Sequence, residues 1–264
     1  MKVLYVGDIM GRPGIEVVKS VLPDMITKYK TDVVIAQAEN LSDGKGITVA
    51  DFKELQSIGV DFCTGGNWSL FRNEIVPYLD NPTEPVIRPA NYPNPTPGKG
   101  YKYLQTKFGP MLIVSLLGQI IGRDADKPTD NPLRTIDKIL TSEKITVCAT
   151  IVNFHGDYSS EKRVIGYYLD GRVSAVIGDH WHIPTADAML LPNHTAHITD
   201  VGMCGSLDSS LGVSLKSILP RWYGGTVTKN VLETEGQMQF NAVLIDIDPK
   251  TRLAKSIKQI RTVF

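Results

Sequence analysis

An apolar run, Val3 to Val6, ends in Gly7-Asp8, and the same arrangement returns along the chain. Glu39 and Asn40 follow the apolar segment Asp32 to Ala38, and Asn67 follows Asp61 to Thr64 in Gly65-Gly66-Asn67. His155 closes Ile145 to Phe154, and His180 and His182 follow Val173 to Ile177. Strands this apolar are expected where helices cover both faces of a sheet. Helical patterning fills the spaces between the first of them, over Pro13 to Tyr29, Thr48 to Ile58 and Leu70 to Leu79. Pro13 suits a first helical turn, where its missing N–H is not needed. Thr48 suits an N-cap, and Ser69 suits the cap of the third helix. The β-α-β-α alternation predicts an α/β layered fold.

The later chain is less regular. Asn81 to Gly100 is proline-rich and reads as an irregular crossing segment. Tyr101 to Thr106 and Met111 to Leu116 flank Phe108-Gly109-Pro110 as a hairpin, and Ser115 to Pro132 reads as a long surface loop. Helices are expected over Leu133 to Leu140 and Ser159 to Leu169. Short strands are expected over Ala188 to Leu191 and Thr195 to Thr199, with a final pair over Gln239 to Ile247 and Leu253 to Ile260. No repeat, low-complexity tract or linker interrupts the 264 residues, which are expected to form a single domain, 1–264.

Charge and cysteine content exclude several classes. Lys and Arg total 28 and Asp and Glu total 28, so no global field steers a nucleic-acid duplex or a membrane to this chain. Cys63, Cys148 and Cys204 are odd in number and match no zinc spacing; they suit small buried side chains in a reducing compartment. Val3 to Val6 is shorter than the roughly 7–15 apolar residues of a signal peptide core. No stretch reaches the roughly 20 apolar residues of a membrane span. The expected location is the cytoplasm.

In an open α/β sheet, ligands collect outside the carboxyl ends of the strands. Here those ends deliver two carboxylates (Asp8, Glu39), two amides (Asn40, Asn67) and three imidazoles (His155, His180, His182). Imidazole with carboxylate and amide oxygen suits Mn, Fe, Zn or Co, and no thiolate belongs to the set. A glutamate can bridge two ions, and a pair about 3.5–4 Å apart can hold a phosphate and activate water. Each residue also has a plainer reading. Glu39 and Asn40 suit a solvated loop, Asn67 a turn, and any one histidine a structural role. His-x-His at a strand end is more specific, because residues two apart point the same way. His194 and His197 have no such context and read as structural. Gly44-Lys45-Gly46 suits either a tight turn or a phosphate contact through Lys45. Arg88 and Asn91, in Arg88-Pro89-Ala90-Asn91, suit either a pocket or a tied loop.

Taken in order, these motifs resemble the calcineurin-like metallophosphoesterases of the YmdB type, bacterial enzymes described as 2′,3′-cyclic-nucleotide phosphodiesterases. The matching segments run from Gly7-Asp8 with Gly11 and Pro13-Gly14, through Glu39-Asn40, Gly44-Lys45-Gly46, Gly66-Asn67 and Arg88-Pro89-Ala90-Asn91. They continue through Thr96-Pro97-Gly98, Phe154-His155, Ser160-Glu161-Lys162, Gly171-Arg172 and His180-x-His182 to Thr199-Asp200-Val201-Gly202-Met203. The resemblance implies a sandwich of two mixed β-sheets flanked by helices. It implies two transition-metal ions, iron or manganese before zinc. Asp8, Glu39, Asn40 and His182 would hold one ion, and Asn67, His155 and His180 the other. Glu39 would bridge them, and a hydroxide between them would attack phosphorus. The implied partner is a small phosphate ester or nucleotide, and a homo-oligomer is compatible with it.

One departure bears on activity. The family has Gly-Asn-His where this chain has Gly66-Asn67-Trp68, and that histidine is taken as proton donor to the leaving group. An indole N–H is neutral and delivers no proton near neutral pH. The loss, at a typical 10²–10⁴-fold, weighs most on poor leaving groups. Asp157 and Asp179 are candidate replacements for the acid. Trp68 and Trp181 are candidates to lie together over the metals and stack a base, or to fill the pocket. The expected function is a metal-dependent phosphodiesterase, with a catalytically weakened or inactive metal- or nucleotide-binding module as the alternative. A dinucleotide-binding oxidoreductase fares worse, because Gly7, Gly11 and Gly14 lack the Gly-x-Gly-x-x-Gly spacing.

Overall fold

The computed structural model describes residues 1–122, 125–142 and 144–264. Positions 123 and 124 of the expected surface loop lie outside the described residues. In chain order the first half holds β1 (Lys2–Val6), β2 (Asp8–Ile9), α1 (Gly11–Tyr29), β3 (Val33–Gln37), α2 (Val49–Ile58), β4 (Phe62–Thr64), α3 (Val76–Asp80), β5 (Tyr101–Thr106) and β6 (Gly109–Leu117). The second half holds α4 (Pro132–Ser142), β7 (Ala149–His155), α5 (Ser159–Tyr168), β8 (Ala175–Asp179), β9 (Met189–Leu190), β10 (Ala196–Ile198), β11 (Met203–Ser206), α6 (Leu215–Gly224), β12 (Met238–Ile247) and β13 (Ala254–Val263).

Two mixed sheets result. One runs β2-β11-β12-β1-β3-β4, with β13 along the other side of β12. The other runs β5-β6-β7-β8-β10-β9. Successive side chains of a strand point to opposite faces, and β1 shows the consequence. Val3 and Tyr5 enter the apolar layer between the sheets, with Ile35, Ile113, Ile151 and Ile177. Leu4 and Val6 face the other way, into the layer under α1 and α2 with Val18, Leu22, Phe52 and Leu55. A third apolar layer packs Ile136, Ile139 and Ile165 of α4 and α5 on the outer face of β6 and β7. Helices thus cover the outside of both sheets, and the sheets cover each other. No described helix is long and apolar enough to cross a membrane.

Several elements differ from expectation for local reasons. Helix α1 begins at Gly11, and Pro13 sits inside its first turn. The helix expected over Leu70 to Leu79 is a 3-10 turn, Asn73–Ile75, followed by the short α3. Pro77 stands at its start and lacks the N–H a continuous helix requires there. Strand β7 begins at Ala149, because its ladder with β6 opens at the Met111–Ala149 pair. Strands β2 and β11 and helix α6 were not foreseen. The first two matter for the site: Asp8 pairs in parallel with Met203, and Ile9 with Cys204. All three cysteines are free and buried.

Candidate metal centre

The carboxyl ends of β1, β3, β4, β7 and β8 bring six of the seven expected donors within reach of one another, and Asn40 follows Glu39 in the chain. Asp8 and His155 are fully buried, while Glu39, Asn40, Asn67 and His182 are nearly so. Ligating atoms of Glu39, His155 and His180 lie within 4.8 Å of one another. His155 Nε2 is 3.0 Å from Glu39 Oε1 and 2.9 Å from Asn67 Oδ1. On the other side, His182 Nε2 is 3.9 Å from Asp8 Oδ1, and the His180 backbone N–H donates to Asp8 Oδ2 at 3.3 Å. Both histidines of this loop have positive φ, 100° at His180 and 63° at His182. Such backbone is strained for a side chain of this size and collects at functional sites. Gly66 allows the close approach, since a Cβ there would stand 2.4 Å from both Glu39 Oε2 and the His155 ring.

Each imidazole is oriented by an acceptor on one nitrogen, which leaves the other free to ligate. His155 Nδ1 faces Asp179 Oδ1 at 2.6 Å. A carboxylate only accepts, so Nδ1 carries the hydrogen and Nε2 points at Glu39 and Asn67. His182 Nδ1 donates to the Leu211 carbonyl at 3.1 Å, and His180 Nε2 faces Asp157 Oδ1 at 3.3 Å. The amides follow the same rule, for Asn40 Nδ2 donates to Gly44 O at 3.0 Å and turns Oδ1 the other way. Among the described residues, Asp8 Oδ1 and Asn40 Oδ1 are two of the five buried side-chain atoms without a hydrogen-bond partner. Leaving buried acceptors unsatisfied is costly, unless a cation takes the place of a donor.

The electrostatics ask for the same thing. Burial, and then the nearby Asp179 carboxylate, push Asp8 well above the usual carboxylate range. Burial opposes charge on His155, yet Glu39 and Asp179 outweigh it and hold its pKa well above an ordinary imidazole. A proton on His155 therefore balances two buried carboxylates at the point where Glu39, His155 and Asn67 converge. Burial, with His180 beside it, pushes His182 down to about 4, so its ring is neutral and its lone pair available near pH 7. The donor set, its unpaired oxygens and this charge balance fit metal cations.

Comparison with known proteins agrees. The sequence matches the family described as YmdB-like protein over residues 4–260. It is 36% identical to a 2',3'-cyclic-nucleotide 2'-phosphodiesterase of Bacillus subtilis, over 98% of this chain and 96% of that protein. The chain belongs to the YmdB-like family. A phosphatase from Mycoplasma pneumoniae superposes with a TM-score of 0.92 at 27% identity, covering 100% of this chain and 93% of that one. A putative 5'-nucleotidase from Staphylococcus aureus shares the fold, with a TM-score of 0.61 at 14% identity, over 98% of this chain and 54% of that one. The α/β sandwich of two mixed sheets flanked by helices is thus the metallophosphoesterase architecture.

Other expected residues of this YmdB-like chain lie elsewhere. Arg88 spends its guanidinium on the carbonyls of Pro97, Pro89 and Thr96, at 3.1, 2.6 and 2.9 Å. Asn91 donates to Leu117 O and Asp130 O and accepts from Leu117 N. Both tie the proline-rich segment down, the loop-anchoring alternative of the two that the sequence left open. The Trp181 indole N–H donates to Asp157 O at 3.0 Å, and its ring covers Lys162 Nζ at 4.1 Å. Trp68 packs edge-on to Phe71 at 5.4 Å rather than against Trp181. Lys45 Nζ lies 4.6 Å over the ring of Trp68, whose backbone N–H donates to Glu39 Oε2. Neither candidate acid suits that task. His180 and the Ile121 N–H outweigh burial and hold Asp157 below the usual range. Asp179 is saturated by His155, Asn153 Nδ2, Gln37 Nε2 and Tyr5 OH.

These last partners were missed in the sequence. Tyr5, Gln37 and Asn153 are polar atoms set into apolar strands, and that placement was the available signal. In the sequence Lys162 stands out only as part of Ser160-Glu161-Lys162. It is fully buried in α5, donating to Asp200 Oδ2 at 2.8 Å and to Asp179 O at 2.6 Å. Asp200 in turn accepts from Trp181 N and Gly202 N, which holds the His180–His182 loop. Lys162→Met would leave Asp200 buried without its cation. The expected loss is about 3–5 kcal/mol in a urea titration; a loss below about 1 kcal/mol would show the pair to be dispensable.

Proposed function

We propose that this chain is a metal-dependent phosphodiesterase acting on small phosphate esters, cyclic nucleotides among them, at a dinuclear centre. The observation that carries this reading is the approach of the Glu39, His155 and His180 ligating atoms to within 4.8 Å of one another, with Asp8 Oδ1 and Asn40 Oδ1 buried and unpartnered among the described residues. Asp8, Glu39, Asn40 and His182 would hold one ion and Asn67, His155 and His180 the other, with Glu39 shared. This thiolate-free set suits Mn, Fe, Zn or Co, and the family resemblance favours iron or manganese. When bound, such ions neutralise phosphate charge and lower the pKa of water.

The protein's own groups supply the rest. Trp68 N donates to Glu39 Oε2 at 2.9 Å and fixes the shared carboxylate. Asp179, Asp157 and the Leu211 carbonyl hold the three imidazoles in their ligating tautomers. No side chain at position 68 hands a proton to a departing alkoxide, since the indole has none to give near neutral pH. Activity on esters with good leaving groups follows, with weakened activity on cyclic nucleotides.

The test uses protein stripped with a chelator and reloaded with Mn²⁺ or Fe²⁺. Hydrolysis of bis(p-nitrophenyl) phosphate should vanish on stripping and return on reloading. Turnover of 2′,3′-cyclic AMP should be slower by on the order of 10²-fold or more, as loss of a general acid implies. Hydrolysis that survives complete metal removal would refute the reading.

A further inference from the structure

Trp68 has a second set of neighbours that the metal centre does not use. Lys45 Nζ lies 4.6 Å from the centre of its ring and Lys127 Nζ lies 5.7 Å from it. The lysines come from distant parts of the chain, and its overall charge is balanced, so general basicity does not explain the pairing. Lys45 is held in place by its backbone. Arg72 donates from Nε to Lys45 O at 3.0 Å and from Nη2 to Ser42 O at 2.9 Å, which clamps the turn. Phe71 supports the arrangement from 5.4 Å to Trp68 and 6.0 Å to Lys45 Nζ. Lys45 is half-buried, and among the described residues its ammonium has only these rings as partners. Cation–π attraction offsets part of the lost hydration of such a group, and an anion would offset more.

A groove of about 440 Å³ passes Asn67, Phe71, Tyr92 and Lys127. Because Asn67 Oδ1 is 2.9 Å from His155 Nε2, the groove starts at the metal centre. Lys127 is its one charged lining residue, among aromatic and aliphatic side chains, and Trp68 adjoins it through its chain neighbour Asn67 and through Phe71, 5.4 Å away; a cation beside aromatic rings suits a nucleotide chain with its phosphates. A base stacking on Trp68 would compete with the ammonium groups already over that ring.

We propose that Lys45 and Lys127, held on the Trp68 indole, form a subsite for a second phosphate, so that favoured substrates are phosphodiesters bearing another phosphate about one nucleotide from the scissile one. This rests on the hydrolase reading above and narrows its substrate class. The Mn²⁺-loaded protein is given the dinucleoside monophosphate TpT and its two terminally phosphorylated forms, pTpT and TpTp. At least one phosphorylated form should show kcat/KM ten or more times that of TpT, chiefly through KM. Lys45→Ala and Lys127→Ala should each shrink that ratio, and the double variant should bring it within about twofold of one. Equal kcat/KM for all three substrates in the wild type would overturn the subsite, as would a preference that survives in the double variant. If none of the three is turned over, the missing proton donor accounts for it, and the aryl-diester test above decides the hydrolase reading separately. Calorimetric Kd values for pTpT, TpTp and TpT on wild type and double variant then decide the subsite by the same ratios.

Discussion

Trp68→His is expected to raise turnover of an unactivated diester such as 2′,3′-cyclic AMP at least tenfold. On the proposed reading, Trp68 stands where the family resemblance implies a histidine that protonates a departing alkoxide. General-acid help is worth typically 10²–10⁴-fold, so restoring even part of it is readily measured. The substitution leaves the residue's other contribution in place, because the hydrogen bond to Glu39 Oε2 comes from the backbone N–H at 2.9 Å. An aryl diester needs no proton on its leaving group, and its gain should be several-fold smaller. The variant should also acquire a descending limb in its pH–rate profile above the imidazole pKa, near ~6.5 for an unperturbed side chain. Equal behaviour of both substrates, with metal content intact, would show that the missing proton is not what limits this chain.

Glu39→Gln is expected to deplete both metal ions together and to cut turnover on the order of 10³-fold. Its two carboxylate oxygens face different partners, Oε1 toward His155 at 3.0 Å and Oε2 toward Trp68 N at 2.9 Å. An amide of the same shape offers one acceptor and one donor, carries no charge, and would set its NH₂ against one of these groups. Metal catalysis is worth several kcal/mol, and each ~1.4 kcal/mol is a factor of ten. Metal analysis of the purified variant checks the structural half of the expectation and kcat the chemical half. Retention of both ions, or loss of one alone, would show that Glu39 is not shared.

Much of the fold was readable because burial on both faces leaves a continuous apolar run. Lys2–Val6 was placed to the residue for that reason, with Leu4 and Val6 on one face and Val3 and Tyr5 on the other. The seven candidate donors stand out in the sequence because each follows such a run, and the structure brings Glu39, His155 and His180 among them into one cluster. Strands β2 and β11 were not readable, since two to four residues establish no period. Yet their pairing, across nearly the length of the chain, seats Asp8. Side-chain identity alone was insufficient at Arg88 and Asn91. A guanidinium or an amide serves a phosphate or a carbonyl equally well, and only the folded neighbourhood shows that Pro97, Thr96 and Leu117 are the partners. The orienting role of Asp179 was hidden for the same reason. It needs β8 beside β7, where Asp179 pairs with His155.

Anomalous scattering from a crystal of the Mn²⁺-loaded protein tests the central claim most directly. Two peaks about 3.5–4 Å apart are predicted, one against Asp8, Asn40 and His182, the other against Asn67, His155 and His180, with Glu39 reaching both. A single peak, or two that share no carboxylate of Glu39, would contradict it.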